Sequence, residues 1–336
     1  MGTPIKPIRL LISVLLAAVC GLTLTMAAKG ADSGADDTLA AVVQVRMKAL
    51  ADSRTASFLG AEREGSGIVI DDKGHVLTIG YIVIEADSID LVTADGRIVP
   101  ATLAGYDHAT GLGLLRPVMP LKLKPMPLGS SAKVEERDPV MVLPHGGRDA
   151  ASLAFVVSRR EFSANWEYLL ESAIYTTPPS PRWSGAALID SQGKLIGVGH
   201  LLVRDAALTD APVPGNLFVP IDVLKPILAD LISKGRAPGP ARPWLGLASD
   251  EVRGHLMVSR VSPEGPAAQA GLRDGDIIVG VGSEEVKSLS EFYRKVWGLG
   301  GAGVEIPLKV LQGVAVKDVK LRSMDRVEYL RRKPSY

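Results

Sequence analysis

From about residue 38 to 220 the apolar positions fall in short runs separated by turn-forming residues. Gly67–Ile70 and His75–Thr78 flank Asp71-Asp72-Lys73-Gly74, a hairpin signal. Ile89–Val92 and Arg97–Leu103 flank Ala94-Asp95-Gly96, and Ala187–Ile189 and Leu195–Val198 flank Asp190-Ser191-Gln192-Gly193. Strands this short, with no ten-residue helical pattern between them, predict a β-barrel or sandwich. A helix is predicted from Ile221 to Lys234, with Val223, Leu224, Ile227, Leu228 and Leu231 on one face and Gly235 as its stop. The segment 235–243, with Pro238, Pro240, Pro243 and Gly239, reads as a stiff linker between units.

Residues 244–325 carry a different pattern. His255–Val261 and Asp276–Val281 read as strands, and Ser262-Pro263-Glu264-Gly265-Pro266 as a turn before a short helical stretch at Ala267–Ala270. Ser288-Leu289-Ser290-Glu291 has the spacing of a capping box, opening a helix whose apolar stripe is Leu289, Phe292 and Val296. Val304, Ile306, Leu308 and Val310 then alternate on one strand face before Gln312-Gly313. Several strands and one well-capped helix in about 80 residues predict a small α+β domain, and no internal repeat is visible.

Composition narrows the function classes. The 336 residues suffice for two or three domains with ample core. Lys plus Arg (38) against Asp plus Glu (37) leaves +1, which gives no nucleic-acid footprint. Gly (35) and Pro (23) are abundant enough for many turns but not for disorder. One cysteine, Cys20, excludes an internal disulfide framework and a Cys-based metal site; no His/Asp/Glu spacing suggests another metal, and no cofactor is expected. Lys6 and Arg9 precede an uncharged run, Leu10–Ala28, closed by Lys29. Residues 1–30 thus read as a cleaved secretory signal or, at about 19 apolar residues, as an uncleaved anchor. Either reading puts the remainder in the periplasm or cell envelope, touching the membrane only through an uncleaved N-terminal segment.

Several motifs resemble the HtrA/Deg serine proteases. They are Gly65-Ser66-Gly67-Ile68-Val69-Ile70-Asp71 with Gly74-His75-Val76-Leu77-Thr78, Gly105-Tyr106-Asp107 with Leu114-Leu115, Ser184-Gly185 with Leu188, Gly193-Lys194-Leu195-Ile196-Gly197, and Phe218-Val219-Pro220. Gly265, Ala268, Ala270-Gly271-Leu272 and Gly275-Asp276-Ile277-Ile278 resemble the PDZ domain that this family carries. The resemblance implies a mainly β chain: a chymotrypsin-like double β-barrel (38–234), the 235–243 linker, a small α+β PDZ domain (244–325), and a basic tail (326–336) of Arg326, Arg331, Arg332 and Lys333 that is expected to be a solvated end.

The chemistry departs from the family. Serine proteolysis needs a nucleophilic hydroxyl, an imidazole to accept its proton and a carboxylate to orient that imidazole. Here Thr78-Ile79-Gly80-Tyr81 puts Tyr81 at the histidine position, and Thr110-Gly111-Leu112 puts Gly111 at the aspartate position. Only the nucleophile position, Ser184, is kept. Arg182-Trp183 replace the residues that shape the family's oxyanion hole, and Arg182 bears a Cβ where the hole needs a glycine's backbone freedom. Losing a triad's base costs about 10⁶ in turnover. The expected function is therefore an HtrA-like pseudoprotease; the alternative is an active endopeptidase using Ser184 with a rearranged base, His145 or His200.

The PDZ equipment is kept. By resemblance, Trp244-Leu245-Gly246-Leu247 is the loop whose backbone N–H groups hold a ligand's terminal carboxylate, with Trp244 at its mouth. Leu289, Phe292, Tyr293 and Val296 are expected to line or back the groove. The implied partners are C-terminal or extended peptides of envelope proteins, and trimers with copies of itself or with competent relatives, as the family's barrels associate.

Overall fold

The computed structural model describes residues 34–331; the signal or anchor segment, Cys20 and the last five residues lie outside them. Six strands, β1 (Val42–Ala49), β2 (Glu62–Val69), β3 (Val76–Ile79), β4 (Ala86–Val92), β5 (Ile98–Asp107) and β6 (Leu112–Pro117), close in the order β1-β2-β3-β6-β5-β4. Six more, β7 (Pro139–Leu143), β8 (Ser152–Ala164), β9 (Tyr168–Thr177), β10 (Ala187–Ile189), β11 (Leu195–Val203) and β12 (Gly215–Pro220), close as β10-β11-β12-β9-β8-β7. The C-terminal unit is a sheet of β13 (Leu247–Val252), β14 (His255–Val261), β15 (Ile277–Val281), β17 (Glu305–Gln312) and β18 (Ala315–Arg322), with the short β16 (Glu284–Glu285) on β15. The fold is mainly β, a pair of barrels followed by a PDZ-type domain.

Local chemistry explains the hairpins. Ile68 pairs with Leu77 and Val69 with Val76, because Asp71 Oδ1 accepts from the Lys73 and His75 amides and Gly74 takes φ +79°. Val92 pairs with Ile98, and Ala187 with Val198, as the turn residues predict. Ser288 caps the Leu289–Gly298 helix by accepting from the Glu291 amide at 3.2 Å. The alternation Ile306, Leu308, Val310 is buried throughout.

Two expectations change. The Ile221–Lys234 helix is broken: a single 3₁₀ turn, Ile221–Val223, is followed by a turn and then the Leu228–Lys234 helix. Pro226 stands at the break, where its missing N–H and ring prevent a continuous helical ladder. The basic tail is not a solvated end as far as Arg331. Arg326–Tyr329 forms a helical turn capped by Asp325, the Tyr329 ring packs on Trp244 with centroids 4.6 Å apart, and the Arg331 amide donates to Glu85 Oε1 at 2.8 Å.

Glu85 organises that seam. Its buried carboxylate also accepts from the Arg54 and Thr55 amides (3.1 and 2.8 Å) and from the Ser53 and Thr55 hydroxyls (both 2.6 Å). Burial raises its pKa, but these donors outweigh burial and hold it below the ordinary glutamate value. Glu85→Ala orphans several donors at once and should lower the stability of the seam by roughly 2–4 kcal/mol. Urea unfolding with limited proteolysis of the C-terminal turn checks this; an unchanged midpoint and cleavage pattern would show that the hub contributes little.

Candidate functional site

Ser184 is held by its neighbours with little room to move. The Ser66 amide donates to the Ser184 carbonyl at 2.8 Å, and Gly185 (φ +70°) lies so close that a Cβ there would stand 2.0 Å from the Ser66 carbonyl oxygen. A Cβ on Gly199 would stand 1.8 Å from the Trp183 carbonyl oxygen. The nucleophile position is thus fixed by close backbone packing, independently of any chemistry.

What meets the Ser184 hydroxyl is a phenol. Tyr81 Oη lies 2.9 Å from Ser184 Oγ and 2.9 Å from the His200 carbonyl oxygen. Its one proton can go to either; when it goes to the carbonyl, the serine hydroxyl turns to donate to Oη. Burial pushes the phenol up to about 12, against weaker opposing effects of the bonds to Ser184 and Trp183. Burial thus keeps the phenol protonated at neutral pH, and a protonated phenol is a poor proton acceptor.

The five histidines all sit elsewhere. His145 Nδ1 lies 3.1 Å from Ser66 Oγ, and its amide donates to the same oxygen at 2.9 Å; burial and the Arg182 guanidinium hold its pKa low. Both ring nitrogens of His200 are buried without a partner, its ring lies between Tyr81, Phe162, Trp166 and Tyr168, and burial pushes it down to about 3. His75 is bonded to Asp71, His108 packs edge-on to Tyr106, and His255 is exposed in the C-terminal unit. None is hydrogen-bonded to Ser184.

The aspartate position is also filled by something else. Gly111 has φ +73°, and a Cβ on it would come 3.1 Å from Tyr168 Cε2 and 3.2 Å from Tyr168 Oη. Tyr168 Oη donates to the Thr110 carbonyl at 2.5 Å. Asp107, close by in sequence, accepts from the Thr110 amide at 2.8 Å. Arg182 is exposed and is not among the six non-glycine residues with positive φ in the described residues, so the left-handed backbone that glycine favours is not formed there. Trp183, Tyr81, Tyr168 and His200 line a cavity of about 640 Å³ between the barrels and the C-terminal unit.

The comparisons with known proteins settle the family. Residues 65–198 match the trypsin-like peptidase domain and residues 257–306 the PDZ domain. Serine endoprotease DegS of Haemophilus influenzae is 27% identical over 236 residues, covering 68% of each chain. Protease Do-like 1, chloroplastic, of Arabidopsis thaliana is 30% identical over 273 residues, or 74% of this chain and 61% of that one. The chain is a homologue of the HtrA/DegS serine proteases. A solved HtrA-type protease, AlgW with a decapeptide, superposes with TM-score 0.53 at 20% identity, over 89% of this chain and 99% of its own, which speaks to the fold.

In this HtrA homologue the Trp244–Leu247 loop, expected to hold a ligand's terminal carboxylate, already holds a side-chain carboxyl. The Leu245, Gly246 and Leu247 amides converge on Glu167: Leu245 N donates to Oε2 at 2.9 Å, and Gly246 and Leu247 N donate to Oε1 at 2.8 and 3.3 Å. Gly246 needs φ +77° to aim them, and a Cβ there would come 3.1 Å from the Trp244 ring, which lies under the loop rather than at its mouth. Glu167 is the last residue of the three-residue loop Asn165-Trp166-Glu167 between β8 and β9, itself at φ +61°. Tyr293 Oη clamps that loop, accepting from the Glu167 amide at 3.2 Å and donating to the Ala164 carbonyl at 2.7 Å.

Leu289, Phe292 and Val296 therefore do not line an open groove. They are buried in one apolar cluster with Leu169, two residues beyond Glu167. Glu167 had no signal in the sequence: a glutamate in a polar turn reads as surface. Its burial is the largest effect on its pKa and pushes it up to about 7, against the amides and the Arg326 guanidinium; Tyr293 also faces it. A carboxyl raised this way stabilises docking fully below its free value near 4.5, and that contribution is lost as pH rises through about 7. The urea midpoint of wild type minus that of Glu167→Gln should therefore fall between pH 5 and pH 8; parallel profiles would place the titration elsewhere. Separately, Tyr81→His with Gly111→Asp should show no peptidase activity, because a Cβ at position 111 already comes 3.1 Å from Tyr168 Cε2 and 3.2 Å from its Oη. Turnover of a peptide substrate by that double variant, with Tyr168 in place, would show that the space is available.

Proposed function

We propose that this chain works in the cell envelope by holding rather than cutting: an HtrA-type pseudoprotease whose PDZ domain binds carboxylate-ended peptides or partner proteins. In that role it serves envelope protein quality control, or acts as a regulatory subunit assembled with catalytically competent relatives. One observation carries the reading, the neutral buried phenol of Tyr81 bonded to Ser184 where a proton acceptor is required. The envelope location rests on the relatives, among them a probable periplasmic serine protease do/HhoA-like of Haemophilus influenzae. Peptide binding rests on the matched PDZ domain and on the decapeptide held by the solved AlgW structure.

The alternative, a rearranged base, finds no supporting contact: His145 is bonded to Ser66, and His200 leaves both nitrogens unpartnered among aromatic rings. The purified protein should neither degrade unfolded casein above the buffer rate nor react with a fluorophosphonate probe. Labelling that disappears in Ser184→Ala would overturn the proposal, since only an activated hydroxyl reacts in that way.

A further inference from the structure

We propose that Glu167 is a built-in surrogate ligand of the PDZ domain, so that the carboxylate loop opens to a peptide terminus only when the β8–β9 hairpin is displaced. The inference rests on the peptide-binding reading above and adds what the site must give up before it can bind.

Three features of the hairpin reproduce what an incoming peptide offers. First, the Glu167 carboxylate takes both oxygens into the loop, with the Leu245, Gly246 and Leu247 amides as donors. Second, Leu169 supplies the aliphatic side chain and is buried with Leu289, Phe292 and Val296. Third, β13 is the terminal strand of its sheet, so its outer edge is where an extended peptide would add. The Ser249 amide on that edge donates to the Asn165 carbonyl at 3.2 Å, and Asn165 Nδ2 donates to Asp250 Oδ1 at 2.9 Å. Within the C-terminal domain itself, Glu251 Oε1 accepts from the Leu289 amide at 2.7 Å, joining β13 to the start of the helix.

The contact is also held from both sides. Arg294 on the helix donates to Glu161 on β8 and Glu171 on β9, both at 2.5 Å. Tyr293 bonds both ends of the loop. A carboxylate fixed to its own chain competes at a high effective concentration, so an external peptide meets an apparent affinity reduced by the closed fraction.

The test uses full-length protein in detergent, with wild type, Glu167→Gln and Glu167→Asn. Asparagine tolerates the left-handed backbone that Glu167 adopts and is too short to reach the loop, so this variant should keep the hairpin. Two readouts are taken: hydrogen exchange of the segment holding the 245–247 amides, and fluorescence anisotropy with a pooled, labelled decapeptide library bearing free C-terminal carboxylates. Its C-terminally amidated counterpart is the control. Glu167→Asn should exchange at 245–247 at least tenfold faster and bind the carboxylate pool at least tenfold tighter than wild type, with no gain for the amidated pool. Equal exchange in wild type and variant would overturn the surrogate-ligand proposal, and so would equal affinity for the pool. If the loop amides are freed but the pool is not bound by any form, Glu167 still closes the loop, and it is the peptide-binding reading that fails.

Discussion

A carboxylate taken out of water with no direct ion pair must be solvated by N–H and O–H donors, and in this chain two glutamates set the domain arrangement by that requirement. Glu85 and Glu167 are both buried and both at positive φ, 58° and 61°. Each sits where a strand begins or a hairpin turns, and each collects backbone amides from distant sequence: Arg54, Thr55 and Arg331 for Glu85, and Leu245, Gly246 and Leu247 for Glu167. Left-handed backbone is costly for glutamate, and it turns the side chain back across the strand end toward those donors. Glu85 ties the C-terminal turn to the first barrel, and Glu167 ties the PDZ domain to the second. The surface ion pairs of the chain, being mostly exposed, add little to this.

Around Ser184 the backbone constraints stand apart from any chemistry of the hydroxyl. Gly65, Gly185 and Gly199 each leave no space for a Cβ, which keeps β2, β11 and the serine loop in close contact. Those contacts do not depend on a histidine at position 81. A phenol fits there because the His200 carbonyl and the Ser184 hydroxyl both offer it a partner, so the buried position is satisfied.

The sequence was legible wherever local rules decide. Turn residues after Ile70, Thr93 and Ile189 gave the hairpins, the Ser288–Glu291 spacing gave the helix start, and motif order gave two barrels and a PDZ unit. Local rules also misled once: the apolar stripe from Val223 to Leu231 suggested one helix, although Pro226 interrupts it. The largest omission was Glu167. The loop Asn165-Trp166-Glu167 contains an asparagine, the residue that ordinarily takes φ > 0, so a reader would assign the left-handed position to the wrong residue. Nothing local reports that its donors lie nearly eighty residues further on. The filling of the aspartate position had the same cause: Gly111 marks the missing carboxylate, but Tyr168 comes from the other barrel.

Tyr168 follows Glu167 directly, so the two candidate sites are joined through a single hairpin. One residue of it fills the PDZ carboxylate loop, and the next occupies the space beside Gly111 while donating to the Thr110 carbonyl. Trp166, one residue earlier, stacks on Tyr168 and lies against His200 at the edge of the cavity. Glu167 closes the three-residue turn and Tyr168 opens β9, so the two share one peptide link and move together. A hairpin that lets go of the PDZ loop must therefore shift the aromatic wall of the barrel cavity as well. An active protease would have to reconcile that movement with a triad held to about 0.5 Å. In this chain the barrel uses the space beside Gly111 as a seat for the hairpin.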